Sequence, residues 1–223
     1  MSTAIIPSPV SGSVGPPRSV VALSRRSIDT VLIGFGALLT VVLAAAGGLL
    51  TWGHNFSADY VRSELAAQNI SFPAKDALVT EGRNDLVKYG GAKVDTGKEA
   101  EAYANYINGH LAKVANGSTF ADLGTPERAA NADLQAATTA KAPQAQIDTL
   151  KAKADTITGQ RNTLFKGETL RGLLLTAFAW STLGTIAGIA AIVSFAAAAV
   201  LAVLVILGFV HHARTPRATL PEA

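Results

Sequence analysis

The sequence contains four histidines, at positions 54, 110, 211 and 212, and no cysteine. Imidazole suits metal ligation and proton transfer near neutral pH, but a metal centre needs further ligands at set spacings. Neither His54 nor His110 has a carboxylate or second histidine at such a spacing, so both read as surface residues. His54 falls at the edge of an apolar segment, and His110 falls on the polar flank of a helix. His211 and His212 stand just ahead of Arg214 and Arg217 and read as an interfacial anchor, with a modest contact to anionic inner-leaflet lipid. The 16 Asp and Glu residues form no catalytic pair; Glu99 and Glu101 point to different sides of a helix and read as a solvated face. The sequence has no P-loop, no nucleophile elbow, no zinc-protease motif and no dinucleotide fingerprint. Absence of cysteine excludes disulfides and thiolate chemistry. The expectation is a non-enzymatic protein with no catalytic residue, no cofactor and no metal.

One stretch does concentrate charge. "TLFKGETLRGLLLTAF", Thr163 to Phe178, places Lys166, Glu168 and Arg171 among Leu164, Phe165, Leu170 and Leu173. Glu168 and Arg171 are within helical i,i+3 reach. The bland reading is a charged boundary beside a membrane; the sharper one makes Lys166, Glu168 and Arg171 a docking surface at membrane level.

What must position these residues is dictated by two apolar blocks. Thr30 to Gly53 carries no charge over a length that suits one spanning helix. Gly172 to Val210 carries none either, about 58 Å of helix against a hydrocarbon core of about 30 Å. Its first part holds Thr176, Ser181 and Thr182 with Phe178 and Trp180, whereas the rest is almost wholly apolar. Trp prefers the headgroup level, which puts an interface near Trp180 and the span beyond it. A rival reading folds this run into a tight hairpin turning near Gly184, at the cost of two short limbs. Neither apolar block contains an ionisable side chain, which argues against an ion pathway.

Net charge is +3, but between His54 and Arg171 fourteen basic and fourteen acidic residues cancel. The excess lies in the tails, at Arg18, Arg25 and Arg26 against Asp29, and at Arg214 and Arg217 against Glu222. Basic tails beside apolar spans put both termini in the cytoplasm and leave no case for nucleic-acid binding. Ser24-Arg25-Arg26 ahead of the first block partly matches a twin-arginine signal, with Ala44 to Ala46 as a cleavage site. Asp29 and the continuation of the block through Trp52 favour an uncleaved anchor.

Between the blocks the pattern is helical. Ser57 is placed to cap a helix carrying Tyr60, Val61 and Leu65, which Pro73 ends. Glycines at 82, 90, 91 and 97 punctuate a looser part. Tyr103, Ile107, Leu111 and Val114 then mark a helix stopped at Asn116-Gly117. Thr125 and Pro126 read as N-cap and first residue of the next helix. After Pro143, Ile147, Leu150, Ala154, Ile157 and Leu164 form a three-four stripe, broken by Arg161, for packing along other helices.

The spans also carry small residues at packing distances. Gly36, Thr40, Ala44 and Gly48 recur every four residues in the first, and Gly184 and Gly188 form a GxxxG in the second. Such stripes let helix backbones approach closely, within the chain or with a partner.

"LLTWGHNF", "AEAYANYINGHLAKVANGSTFADL" and "TLFKGETLRGLLLTAFAWSTLGTIAGIAAIV" resemble a family of uncharacterised two-span membrane proteins from actinobacteria. The resemblance runs from about Ile33 to Phe209 and weakens between Asp122 and Gln160. It implies location and topology, and brings no activity, cofactor or catalytic residue.

The expected organisation is all-α, with two transmembrane helices bracketing a mostly helical extracytoplasmic bundle. Its parts are a flexible cytoplasmic tail (1–28), a first span (29–53), an extracytoplasmic domain (54–172), a membrane-entry helix (173–184), a second span (185–210) and a cytoplasmic tail (211–223). The expected role is an accessory or structural component of a cell-envelope assembly in the bacterial cytoplasmic membrane. Its partners would be the lipid bilayer and a protein partner, or a second copy through the spans. The alternatives are a ligand-sensing module signalling through a partner, or a carrier of lipid or a small hydrophobic ligand.

Overall fold

A computed structural model of the chain describes residues 25–214; of the tails expected over 1–28 and 211–223, residues 25–28 and 211–214 are instead helical, as the ends of the two long helices, and the rest lie outside the described residues. Among the described residues there are five α-helices: α1 (Arg25–Ala67), α2 (Lys75–Thr80), α3 (Gly97–Leu111), α4 (Gly124–Thr139) and α5 (Gln144–Arg214). Two 3₁₀ turns, Asn84–Tyr89 and Val114–Gly117, link them. Among the described residues there is no strand, only an isolated antiparallel bridge between Ser71 and Lys93. The all-α expectation therefore holds. The described chain divides into two compact units, Val42–Ala197, and residues 25–41 with 198–214.

The two long helices are longer than the apolar blocks that seed them. α1 has 43 residues and continues through Gly53 and Ser57, where a boundary and a fresh N-cap were expected. Nothing in that stretch breaks a helix, and the Ser57 hydroxyl is used elsewhere, on the Trp180 carbonyl. The helix ends at Ala67, before Pro73, where Asn69 turns the chain at φ 50°. Likewise α5 is one helix of 71 residues with no turn at Gly184, so the hairpin reading is set aside. The residues expected to form a separate domain over 54–172 thus take their outer helices from the same α1 and α5 that carry the apolar blocks. α1 and α5 are each long and apolar enough to cross a membrane.

Within Val42–Ala197, α2, the first 3₁₀ turn and α3 pack on the end of α1 and the middle of α5. Val61, Leu65, Phe72, Leu78, Leu86, Val94, Ala100, Ala104 and Leu174 are the buried core. The Phe72 ring lies flat on Tyr89 and edge-on to Tyr103, each at 5.2 Å, geometries that suit the ring quadrupoles. α3 begins on a capping box: the Thr96 hydroxyl accepts from the Glu99 amide, and the Glu99 carboxylate accepts from the Thr96 amide at 2.9 Å. Glu99 is therefore a cap and not merely part of a solvated face. The Tyr103–Ile107–Leu111 stripe faces inward as expected, with Leu111 joining Leu123 and Leu164 in a second apolar cluster.

The α3–α4 connection holds three consecutive left-handed residues, Ala115 (φ 49°), Asn116 (φ 54°) and Gly117 (φ 83°). α4 does not use Thr125 as its cap. The turn starts earlier, where the Asp122 carboxylate accepts from the amide and hydroxyl of Thr119, and Thr125 instead accepts from Arg128. Arg161 explains its break in the α5 stripe. Its guanidinium lies 4.1 Å over the Phe120 ring and pairs with Glu127, clamping the start of α4 to α5.

Candidate functional site

The residues singled out for helix packing fall into two groups. Within the unit of 25–41 and 198–214, Gly36 lies against Val205, where an added Cβ would come within 2.9 Å of a Val205 methyl. Thr40 is beside it, its hydroxyl donating to the Gly36 carbonyl at 2.8 Å. Ile33 approaches Gly208 in the same way. Within Val42–Ala197, however, Ala44 and Gly48 are exposed, and a Cβ on Gly48 would meet nothing. Gly47 takes the inward position, where a Cβ would come within 2.9 Å of the Phe195 ring.

The reason is helical geometry. A row of every fourth residue gains about 40° per step on a helix of 3.6 residues per turn, so a straight partner loses it after two steps. Steps alternating three and four average 3.5 and stay facing the partner. On α1, Leu43, Gly47, Leu50, His54, Ser57 and Val61 follow that alternation and are buried or half-buried. Facing them on α5 are Leu174, Gly184, Ala191 and Ser194, all buried. Gly184 and Gly188 do lie in the seam. A Cβ on Gly184 would come within 2.8 Å of Ser57, and one on Gly188 within 2.9 Å of the His54 ring.

Three side chains cross the seam to backbone carbonyls. Ser57 Oγ donates to Trp180 O at 2.7 Å, and Ser194 Oγ donates to Leu43 O at 2.7 Å. His54 Nδ1 lies 2.8 Å from Gly184 O; a carbonyl only accepts, so Nδ1 carries the hydrogen. Each carbonyl has a second lone pair beyond its helical bond, so the crossings cost the helices nothing. His54 is thus a seam residue and not the surface residue its sequence context suggested. Hydroxyls at a helix contact satisfy themselves while drawing backbones together, each worth about 0.6 to 1.7 kcal/mol in a membrane setting.

The charged stretch is distributed over several faces of α5. Arg171 Nη1 donates to Glu168 Oε2 at 3.0 Å, the i,i+3 pair that the spacing suggested. Lys166 is exposed. Leu164 and Leu174 turn into the two apolar clusters, whereas Phe165 and Leu173 stay exposed, Phe165 with its ring 5.7 Å from Phe120. Arg171 also borders an open cleft of about 420 Å³ with Lys88, Lys98, Asn105 and Glu101. The three residues do not converge on one patch.

A cluster the sequence did not point to joins the end of α2 to α3. Tyr106 Oη donates to Glu81 Oε1 at 3.3 Å, and His110 Nε2 lies 3.4 Å from Glu81 Oε2, an atom shut off from solvent and without a hydrogen bond. Arg83 grips Asp85 through two bonds at 3.1 and 2.9 Å and donates to the carbonyls of Asn105 and Tyr106. Gly109 makes room for that guanidinium. The Arg83 hydrogen bond holds the Asp85 carboxyl below its usual range, and desolvation followed by the Glu81 contact raises the Tyr106 phenol. The cluster ties the end of α2 to α3. Among the described residues no three His, Asp or Glu side chains converge as a metal would need.

Comparison with known proteins returns nothing: no protein family, no curated protein and no solved structure matches the chain.

Proposed function

We propose that the chain is a two-span protein of the bacterial cytoplasmic membrane, with both termini in the cytoplasm, acting by contact as an accessory component of an envelope assembly. The observation that carries the membrane part is exposure. The most apolar windows of α1 and α5 are only 6% and 17% buried. Phe35, Leu38, Val41, Leu49, Ile186, Ile192, Val203 and Leu207 are each more than half exposed. A core helix of a water-soluble protein would cover such residues, and apolar patches of this extent are rare on soluble monomers. A cleaved signal fits poorly, since residues that cleavage after Ala46 would remove also pack on α5: the Leu43 carbonyl accepts from Ser194, and Gly36 lies against Val205.

The outer interface is assigned to the aromatic level. Trp52, Phe56 and Tyr60 stack in an exposed column at 5.5 and 5.9 Å, and the Ser57 bond draws Trp180 to the same height. Basic tails favour the cytoplasm for both ends. A contact role is preferred to catalysis because Arg83, on Asp85 and the carbonyls of Asn105 and Tyr106, and Arg161, on Glu127, are engaged in holding helices together.

The sequence lacks cysteine, so single introduced thiols report without background. Lys113→Cys is expected to react with an impermeant maleimide in intact cells and Ala218→Cys only after lysis; the reverse pattern would overturn the orientation. Crosslinking in native membranes, then gentle solubilisation and mass spectrometry, tests the role. A stoichiometric partner supports an accessory subunit, and recovery of the chain alone removes that reading.

A further inference from the structure

Between α1 and α5, entirely within Val42–Ala197, lies a groove of about 410 Å³. Its floor is Val61, Leu65 and Leu174, all under 7% exposed, and its rim is Tyr60, Leu173 and Trp180, all more than half exposed. We propose that this groove holds one hydrocarbon chain of an outer-leaflet phospholipid; the inference rests on the two-span reading above.

Shape restricts the occupant. The groove follows α1 from Tyr60 to Gln68 and α5 from Leu170 to Trp180, roughly 12 to 15 Å at the helical rise. An extended peptide would bury amide and carbonyl groups against α1 and α5, whose backbones are already bonded within their helices. A hydrocarbon chain carries no such groups.

Position and charge agree. One end, at Tyr60 and Trp180, is continuous with the exposed apolar side chains Trp52, Phe56 and Leu183. Farther along α1 the lining includes the polar side chains Glu64 and Gln68. Glu64 is the only carboxylate in the lining, so an anionic headgroup is disfavoured there and the tail is the part that enters. The chain comes from the membrane end and lies along the helices above the aromatic level.

The test uses the full chain in vesicles of phosphatidylglycerol and phosphatidylethanolamine, with a trace of phospholipid bearing a diazirine at the end of one acyl chain. In an undisturbed bilayer that chain end sits near the midplane, so adducts within 60–68 and 170–180 require a raised tail. We expect such adducts after irradiation, in addition to adducts within the spans. Ala177→Phe, which fills the groove, is expected to cut groove labelling at least fivefold and leave span labelling unchanged. Leu173→Gln, on the exposed rim and clear of the core, is expected to at least halve it. Adducts confined to the spans of a protein that resists alkaline extraction would overturn the groove and leave the spans standing. Release of the protein by alkaline extraction would remove both. Quantitative disulfide dimers of Leu173→Cys that abolish groove labelling would assign the groove to a second copy.

Discussion

Replacing Gly184 by alanine is a direct test of the seam. An added Cβ would sit 2.8 Å from both Cβ and Oγ of Ser57, and 3.6 Å from the His54 carbonyl oxygen. Ordinary carbon contacts begin near 3.5 Å, so α1 and α5 must separate by roughly 0.7 Å at that level. The Ser57–Trp180 bond at 2.7 Å and the His54–Gly184 bond at 2.8 Å would then stretch to about 3.5 Å, beyond useful geometry. Losing two crossings at about 0.6 to 1.7 kcal/mol each, against a helix-propensity gain of about 1 kcal/mol for Gly→Ala, leaves a net loss of roughly 0.2 to 2.4 kcal/mol. Gly48→Ala is the internal control: its Cβ meets nothing, so only the propensity gain acts and the variant should be unchanged or stabilised by up to about 1 kcal/mol. The assay is reversible unfolding of the full chain in mixed micelles by titration with a denaturing detergent. Fluorescence reports it well, because the two tryptophans, Trp52 and Trp180, both border the seam region. Equal loss in the two variants, or a larger loss at Gly48, would refute the three-four register.

Three further outcomes are expected. Thr96→Ala removes half of the capping box and should cost about 0.5 to 2 kcal/mol, read as faster amide exchange confined to the first turn of α3. The carboxyls of Asp122, bonded to Thr119, and Glu127, bonded to Arg161, are both lowered in the folded chain. Their contribution is therefore fully present above the unfolded carboxyl range and is lost as pH falls through the lowered folded values; melting points measured downward from pH 6 should drop, and less so in Glu127→Gln. Ala115 holds a left-handed φ of 49°, which costs an L-residue about 1 to 2 kcal/mol, so Ala115→Gly should be neutral or stabilising by up to about 1 kcal/mol despite the added chain entropy. Thermal melts check it, and clear destabilisation would contradict that backbone geometry.

The apolar blocks were legible in the sequence because absence of charge over a long run needs no knowledge of partners. The α3 stripe was legible for a similar reason, since Tyr103, Ile107 and Leu111 are neighbours on one helix. Elsewhere local signals misled. Ser57 has the chemistry of an N-cap, but its acceptor is 123 residues away, so the sequence could not show that the hydroxyl was already engaged. Arg161 looked like a flaw in a stripe because Glu127 and Phe120 stand 34 and 41 residues distant. Gly47 and Gly48 are adjacent, and only the period of the partner's contact decides between them; a four-residue period selected the exposed one. The Thr96–Glu99 box was present as a sequence motif, but Glu99 was read by its charge and not by its spacing from Thr96. The groove between α1 and α5 had no local signature, since its floor is assembled from Val61, Leu65 and Leu174 across two helices.

The three seam crossings end on backbone oxygens, which every residue supplies, while their donors are particular side chains. The two sides of each crossing therefore differ in mutational freedom. At Leu43 and Trp180 the bond itself would survive almost any replacement that keeps the helix, and at Gly184 any that keeps the space. At Ser57, His54 and Ser194 few substitutes can donate at the same reach. A saturation library across the seam should thus show narrow chemical tolerance at the donors and a tolerance set by size or surroundings at the acceptors.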